Sequence, residues 1–235
     1  MLGYSRIVSD LKLLKEKGFI KTHRTGKTGI GKTLEDELGI KENNVPGPNG
    51  HMLELKSARK NSKSMLTLFT KSPLPSKANS ILLKKLGYPS AKGNGKKELH
   101  TTVNALNYNK LKGEVGFKIT VDDDLIELID EKSEILGFWD RETLRKCFER
   151  KLPRLMYVKA ESRGIGAEEE FWFNEAWVLK GFDFENFIKL IKEGKIFVDI
   201  RIGQYPDGRP HDHGTAFRVF PDKLKLCFSD REQVI

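Results

Sequence analysis

Residues 46–56 read PGPNGHMLELK, a loop rich in proline and glycine that leads into a predicted β-strand at about 51–58. Strand side chains alternate between the two faces, so Glu54 and Lys56 are predicted to lie on the same face. Asn49 precedes them in the loop. The stretch therefore predicts a carboxylate beside an ammonium group, close to a loop amide.

The composition of the chain limits its class and its partners. It has 235 residues, with 42 Lys+Arg against 33 Asp+Glu and a formal net charge of +9. This length suits one large domain or two small lobes, and the excess charge favours a polyanionic partner such as nucleic acid or an anionic membrane. A basic surface that serves only solubility is the alternative.

Other features argue against a membrane or secreted protein. No stretch approaches 18 consecutive apolar residues, and the N-terminus lacks the apolar run of a signal peptide. The two cysteines, Cys147 and Cys227, are too far apart in sequence to form a metal-binding motif or a disulfide framework. We therefore expect a cytoplasmic protein.

Hydrophobic periodicity predicts a mixed α+β (α/β) fold with a mixed sheet flanked by helices. Residues 87–113 are expected to form a long basic loop or arm. The strand at 64–70 is expected to pair with the strand at 51–58. Helices are predicted at 4–17, 30–38, 78–86, 140–150 and 183–194, and further strands at 114–130 (a hairpin turning at 122–124), 154–162, 169–182, 195–203 and 211–220.

The letters from Gly26 to Thr33 match the phosphate-binding pattern G-x-x-x-x-G-K-T. A true P-loop follows a hydrophobic strand, and the preceding FIKTHRT is a poor one. The match is therefore weak evidence for a nucleotide site.

Glu54 and Lys56 have the chemistry needed to hydrolyse a phosphodiester. The reaction needs a divalent cation that activates water and stabilises charge, and Mg²⁺ prefers hard oxygen ligands. Glu54 is a candidate ligand, Lys56 can orient water, and Glu35 can orient the lysine or reach a second metal ion. Alone, a Glu-x-Lys triplet is most often an ordinary exposed strand face.

A second candidate site lies in VDIRIG (198–203) and HDHGTAFR (211–218). Arginine can bind guanine O6 and N7, and a carboxylate can accept from cytosine N4. A zinc site at His211-Asp212-His213 would need further ligands that five histidines and two distant cysteines hardly supply.

Five segments in order resemble the MvaI/BcnI family of type II restriction endonucleases, which is related to the mismatch-repair nickase MutH. They are TGIGKTLEDELGI, HMLELKSAR, SMLTLFTKSP, VDIRIG and HDHGTAFR, within about residues 26–220. The resemblance implies a MutH-like core with a smaller DNA-recognition lobe. It also implies a monomeric, Mg²⁺-dependent enzyme that cuts a short, nearly palindromic GC-rich site in double-stranded DNA.

The resemblance also implies roles for particular residues. Catalytic positions fall at Glu35, Asn49, Glu54 and Lys56, with Asn49 and Glu54 at the metal. Apart from the resemblance, the basic side chains of Arg59, Lys63 and Lys71 are expected to contact the DNA backbone, because phosphates attract positive charge. The base-reading positions fall at Asp199, Arg201, His211, Asp212, His213 and Arg218.

Asn49 departs from the family pattern, which has an aspartate there. An amide removes one negative charge and should weaken metal binding. Three explanations are open: Asn49 is a deliberate substitution, the enzyme is naturally impaired, or another acid such as Glu35, Asp36 or Glu42 takes the role. Deamidation of Asn49-Gly50 would also restore an aspartate.

These interpretations define the expected organisation. Residues 1–75 with 115–180 are predicted to form the catalytic lobe, and 76–114 with 181–235 the recognition lobe. A cognate DNA methyltransferase is expected in the same system, without direct contact. A MutH-like strand nickase and a non-cleaving DNA-binding protein are the alternatives.

Overall fold

The computed structural model describes residues 4–40, 53–93, 95–152 and 154–235. Its helices are α1 (Tyr4–Lys17), α2 (Gly29–Glu37), α3 (Ala78–Leu86), α4 (Arg141–Lys151), α5 (Phe184–Lys192) and α6 (Leu224–Cys227). Its strands are β1 (Ile20–Lys21), β2 (Glu54–Arg59), β3 (Leu66–Thr70), β4 (Tyr88–Pro89), β5 (Lys97–Val103), β6 (Lys110–Leu111), β7 (Glu114–Val115), β8 (Phe117–Val121), β9 (Leu125–Asp130), β10 (Ile135–Asp140), β11 (Leu155–Arg163), β12 (Glu170–Lys180), β13 (Ile196–Gln204), β14 (Pro210–Asp212), β15 (Ala216–Val219) and β16 (Asp230–Gln233).

The chain divides into two compact units. The first contains residues 1–64, 149–182 and 228–235, and the second contains 65–148 and 183–227. The predicted lobe boundaries differ from this division, since residues 115–148 were assigned with the N-terminal region. The physical reason is that β8, β9 and β10 form a sheet of their own in the second unit instead of extending the sheet of the first.

The first unit is built on a mixed sheet with the order β1-β12-β11-β2, and β16 also pairs with β12. The pairing of β2 with β11 is parallel, with Glu54 opposite Leu155, whereas β12 pairs antiparallel with β1, β11 and β16. Apolar side chains of α1 and α2 pack with those of the sheet into one core. Phe171 and Phe173, at alternate positions of β12, belong to this core.

The second unit contains a larger sheet with the order β3-β15-β13-β5-β4, and β14 pairs with β13. Along β13 the residues Val198, Ile200 and Ile202 are fully buried, and Asp199 and Arg201 lie between them on the opposite face. The sheet therefore has one apolar face against the core and one face that carries polar side chains.

Two sequence predictions about these strands are wrong. The strand after residue 64 pairs with β15 and not with β2, which pairs with β11. The predicted loop at 87–113 contains β5, which pairs with β13 and buries Leu99 and Val103. Both outcomes depend on partners distant in sequence.

Helix α5 shows how local signals place an element correctly. The Asp183 carboxylate accepts a hydrogen bond from the Asn186 backbone N–H at 2.8 Å, which caps the helix start. The chain leaves the helix through Gly194, which has a positive φ of 64°. The positive φ favours glycine at this turn, and a Cβ there would also approach the Leu106 side chain to 2.7 Å.

Within the described residues, no helix combines the length and the apolar character needed to cross a membrane.

Candidate active site

Glu54 and Lys56 lie on one face of β2, as the alternation predicts, and they form an ion pair. Lys56 Nζ lies 2.8 Å from Glu54 Oε1. Glu54 is only 3% exposed and is the one buried glutamate among the described residues. The backbone N–H of Glu54 donates to the Arg154 carbonyl at 2.9 Å, which fixes the start of the strand. Glutamate side chains are almost never fully buried unless they are paired, and Lys56 provides that partner for Glu54.

A second lysine reaches the same carboxylate. Lys151 is the last residue of α4, and its Nζ lies 3.4 Å from Glu54 Oε2. The two side chains come from distant parts of the sequence, so no local pattern predicts the contact. Sequence reasoning missed this residue.

Glu35 and Lys56 line one pocket of about 340 Å³ in the first unit. Its walls also carry three further cations, a threonine and a serine: Arg24, Lys27, Lys32, Thr28 and Ser57. Four basic side chains and one carboxylate line the pocket, and two of the cations are paired, Lys32 with Asp36 at 2.6 Å and Lys56 with Glu54 at 2.8 Å. With these two acids counted, the pocket keeps a small excess of positive charge, which suits an anionic group.

The P-loop interpretation does not fit this region. The buried Thr33 hydroxyl donates to the Gly29 carbonyl at 2.9 Å and accepts from the His23 backbone N–H at 3.0 Å. Lys32 Nζ donates to Asp36 at 2.6 Å, and that bond, ahead of the one from His23, lowers the pKa of the Asp36 carboxyl. The preceding strand β1 covers only two residues. These groups stabilise the start of α2 locally.

Only one of the two predicted metal ligands lies in the part of the chain that the structure describes. Asn49 lies outside the described residues, as does the alternative acid Glu42, whereas Glu54 and Glu35 lie within them. No group of three or more His, Cys, Asp or Glu side chains placed to hold a metal ion occurs in the described part of the chain.

The second predicted site lies on the polar face of the larger sheet. Arg218 donates through Nη1 to Asp199 Oδ2 at 2.8 Å and through Nη2 to the Met65 carbonyl at 2.6 Å. Arg201 Nε lies 3.3 Å from Asp199 Oδ2, an ion-pair distance without hydrogen-bond geometry. Asp199 is 8% exposed, so the two arginines compensate a buried charge.

The histidines of this stretch form a small ring cluster. The His211 and His213 rings have centroids 4.2 Å apart, and Tyr205 stacks on His211 at 4.4 Å. Burial, then the neighbouring charges of His211, His100 and Arg201, lowers the pKa of His213. This ring is therefore kept neutral more readily than an ordinary histidine.

Asp212 differs from its neighbours because it is held by structural contacts. One carboxylate oxygen accepts from Ser72 Oγ at 2.5 Å and Asn79 Nδ2 at 2.9 Å, and the other accepts from the Gly214 backbone N–H at 2.7 Å. Asp212 thus fixes the turn that presents the two histidines.

β5 adds two polar residues that the sequence analysis missed. His100 lies opposite Arg201, and Thr102 lies opposite Asp199 and donates to it at 3.1 Å. The one signal in ELHTTV is the pair of apolar residues Leu99 and Val103, which lie four positions apart and are both buried. The Gly/Asn/Lys-rich surroundings of that segment obscured it.

The three predicted DNA-backbone contacts have different environments. Lys63 is exposed and Lys71 is half-buried. Arg59 donates to both oxygens of Glu169, at 2.6 and 2.7 Å, and covers the Phe171 ring. Its guanidinium is engaged within the first unit, which leaves Arg59 the weakest of the three candidates.

The buried Glu54–Lys56 pair on a strand of a mixed sheet, beside a basic pocket, offers a carboxylate and an ammonium group to a phosphodiester. Residues 8–228 match the MvaI/BcnI restriction endonuclease family, and the chain belongs to that family. It is therefore a type II restriction endonuclease, a site-specific deoxyribonuclease.

Solved structures agree with this assignment. The complex of restriction endonuclease MvaI with its cognate DNA substrate is 31% identical, covers 97% of each chain and has a TM-score of 0.85. MvaI in the absence of DNA is 30% identical over 100% of this chain and 99% of that chain, with a TM-score of 0.60. No match was found among curated proteins.

Proposed function

We propose that this enzyme hydrolyses both strands of a short, GC-rich, nearly palindromic site in double-stranded DNA, using Mg²⁺ and the Glu54–Lys56 pair. The observation that carries the proposal is a buried Glu54 carboxylate 2.8 Å from Lys56, with Lys56 also lining a basic pocket. MvaI itself is solved with a cognate DNA substrate, which supports double-stranded DNA as the partner.

The donor set suits Mg²⁺. This ion is commonly bound by one or two carboxylates together with substrate phosphates and waters. Glu54 would supply a carboxylate and Asn49 an amide oxygen, while Glu35 lies on the same pocket as Lys56. Bound there, Mg²⁺ would lower the pKa of a water molecule and offset charge on the phosphate.

The side chains of this enzyme have separate tasks in that reaction. The basic pocket attracts a phosphodiester, because its four cations outnumber the three carboxylates that line it or pair with them, Glu35, Asp36 and Glu54. Lys56 carries three donor hydrogens, so it can keep Glu54 as a partner and still orient a water molecule or a phosphate oxygen. Glu35 lines the same pocket and would orient Lys56 or reach a second metal ion.

Sequence reading belongs to the polar face that carries Asp199, Arg201 and Arg218, with the segment from His211 to His213 addressing the centre of the site. Arginine reads guanine by paired hydrogen bonds, a carboxylate reads cytosine, and a neutral histidine offers one donor and one acceptor. Lys63 and Lys71 are proposed to contact phosphates, which position the protein without specifying sequence.

We further place the enzyme in the cytoplasm as a monomer, with a cognate DNA methyltransferase that it does not contact directly. A restriction enzyme meets DNA inside the cell, and a partner methyltransferase protects the host sites.

The test is cleavage of plasmid DNA by this chain and by Asn49→Asp. Aspartate restores a hard anionic ligand, so Asn49→Asp should increase the Mg²⁺-dependent cleavage rate by at least about 10–100-fold, which is the loss seen when even an outer partner of a metal ligand is removed. Mapping the ends of the products gives the recognition site.

Glu54→Gln in both backgrounds is the matched control, because it removes the carboxylate with little change of shape. It should abolish cleavage while leaving metal-free DNA binding. Equal cleavage by this chain and by Asn49→Asp would assign the missing charge to another acid. Specific binding without cleavage in either would identify a non-cleaving DNA-binding protein.

A further inference from the structure

Both oxygens of the Glu54 carboxylate face an ammonium group. Lys56 Nζ lies 2.8 Å from Oε1 and Lys151 Nζ lies 3.4 Å from Oε2. The Glu54 side chain is 4% exposed, while those of Lys56 and Lys151 are 24% and 22% exposed. All three residues lie in the first unit. One buried negative charge is therefore shared between two partly exposed positive charges.

The two lysines are held differently. Lys56 stands on the same strand as Glu54, so the pleat of β2 fixes their separation. Lys151 reaches the carboxylate from the end of α4 on a flexible four-carbon side chain, and its contact is the longer one. Of the two, Lys151 is the one that can move away without disturbing the strand.

A divalent cation on Glu54 would compete directly with Lys151. Mg²⁺ binds oxygen at about 2.0–2.1 Å, well inside the distance of the ammonium group from Oε2. An ion with two positive charges and an ammonium group cannot share one carboxylate oxygen in a poorly solvated site without strong repulsion. The trio of Glu54, Lys56 and Lys151 already carries a net charge of +1.

We propose that Lys151 is a positioning residue that holds Glu54 in the metal-free enzyme and must leave the carboxylate before a divalent cation binds there. This inference rests on the proposed metal-binding role of Glu54. Lys151 neutralises the buried carboxylate while the site is without metal, and by occupying Oε2 it raises the metal concentration that the site requires.

The experiment follows thermal unfolding of the whole protein in EDTA and then in increasing MnCl₂. The variants are Lys151→Met, which keeps the apolar stem and removes the charge, Lys151→Arg, and Glu54→Gln. Lys159→Met is the control, since the Lys159 side chain is 30% exposed, close to the 22% of Lys151, and pairs at 2.8 Å with Glu175 in the same unit.

Lys151→Met should unfold at a lower temperature than the parent in EDTA, because Glu54 loses one of its counter-charges. It should then be stabilised by Mn²⁺ at a concentration about ten-fold lower than the parent requires, the factor that corresponds to a modest charge interaction. Lys151→Arg should restore the stability in EDTA. Lys159→Met should leave the Mn²⁺ dependence unchanged.

The outcomes separate this inference from the proposed function. If Mn²⁺ stabilises the parent but not Glu54→Gln, while Lys151→Met needs as much Mn²⁺ as the parent, then Lys151 is not a competitor and the inference is overturned. If Lys151→Met instead needs more Mn²⁺, Lys151 assists metal binding and the inference is also overturned. If Mn²⁺ stabilises none of the proteins, the metal role of Glu54 fails, and the inference fails with it.

Discussion

Arg201 and Arg218 share the Asp199 carboxylate but differ in how far their guanidinium groups are already engaged. Arg218 donates to Asp199 and to the Met65 carbonyl, and its side chain is 22% exposed. Arg201 has only the longer Asp199 contact, and its side chain is 42% exposed. Arg201 is therefore the better placed of the two to offer two parallel donors to a guanine.

We expect Arg201→Ala to lose discrimination between cognate and scrambled duplexes by about 1–3 kcal/mol, with an unchanged salt dependence of non-specific binding. Arg218→Ala should lose discrimination and also lower the unfolding temperature, because the buried Asp199 loses its closest counter-charge. Binding of both variants would be measured at several salt concentrations without metal. A uniform loss on both duplexes for Arg201→Ala, with a shallower salt slope, would make it a phosphate contact.

The pKa of His213 predicts a pH dependence at the same surface. Burial and the charges of His211, His100 and Arg201 lower this pKa from the ordinary 6.5. The unfolded chain then binds a proton at this histidine more readily than the folded chain does. The stability that comes from keeping the His213 ring neutral is therefore fully present above about pH 6.5. It is lost as the pH falls through the lowered pKa of the folded state.

NMR titration of the histidine ring protons would measure this shift. His211→Gln should raise the pKa of His213, because it removes a repelling charge. Tyr205→Phe is the control, since it keeps a ring stacked on His211 without altering the charges. A His213 pKa that stays the same in His211→Gln would show that the interaction between the two rings is negligible.

Among the secondary-structure elements, those with a local signal were predicted well. The helical period gave α1, and the Asp183 cap and the Gly194 stop gave α5. The hairpin of β8 and β9 was confirmed because its turn lies at the predicted aspartates. In each case the deciding interactions are made between residues close in sequence, which is why a single sequence contains them.

The pairing of strands was predicted less well because it depends on distant residues. Nothing near β3 specifies β15 as its neighbour, and β5 acquires its place in the sheet only when β13 covers it. The candidate site divides in the same way. The Glu54–Lys56 pair follows from the two-residue strand period, whereas Lys151 and His100 reach their positions through tertiary packing.

For the whole molecule, the sheet of each unit presents a different chemistry. The first unit contains the buried Glu54 with its lysines, and the second contains the polar face with Arg201 and Arg218. The chain passes from one unit to the other several times, so the division cannot be read from continuous stretches of sequence. This is the physical reason that the sequence alone did not predict the boundaries of the two units.

The number of catalytic centres in a chain predicts how it cuts a duplex. We propose one catalytic centre in each chain, at Glu54, which is the one buried glutamate among the described residues, whereas a duplex offers two scissile phosphates of opposite polarity. A monomer must therefore cut one strand, reorient and cut the other. We expect supercoiled plasmid to pass through a nicked circle before it becomes linear, and a substrate already nicked at the site to become linear without delay.

The measurement follows both products over time at several enzyme concentrations, using whichever of this chain and Asn49→Asp is more active. The nicked circle should form at a rate proportional to enzyme concentration, because one copy suffices for one cut. A catalytically dead partner, Glu54→Gln, should compete for the site and slow both steps alike. Linear product without a nicked intermediate, with a rate that rises as the square of enzyme concentration, would show instead that two copies cut the duplex together.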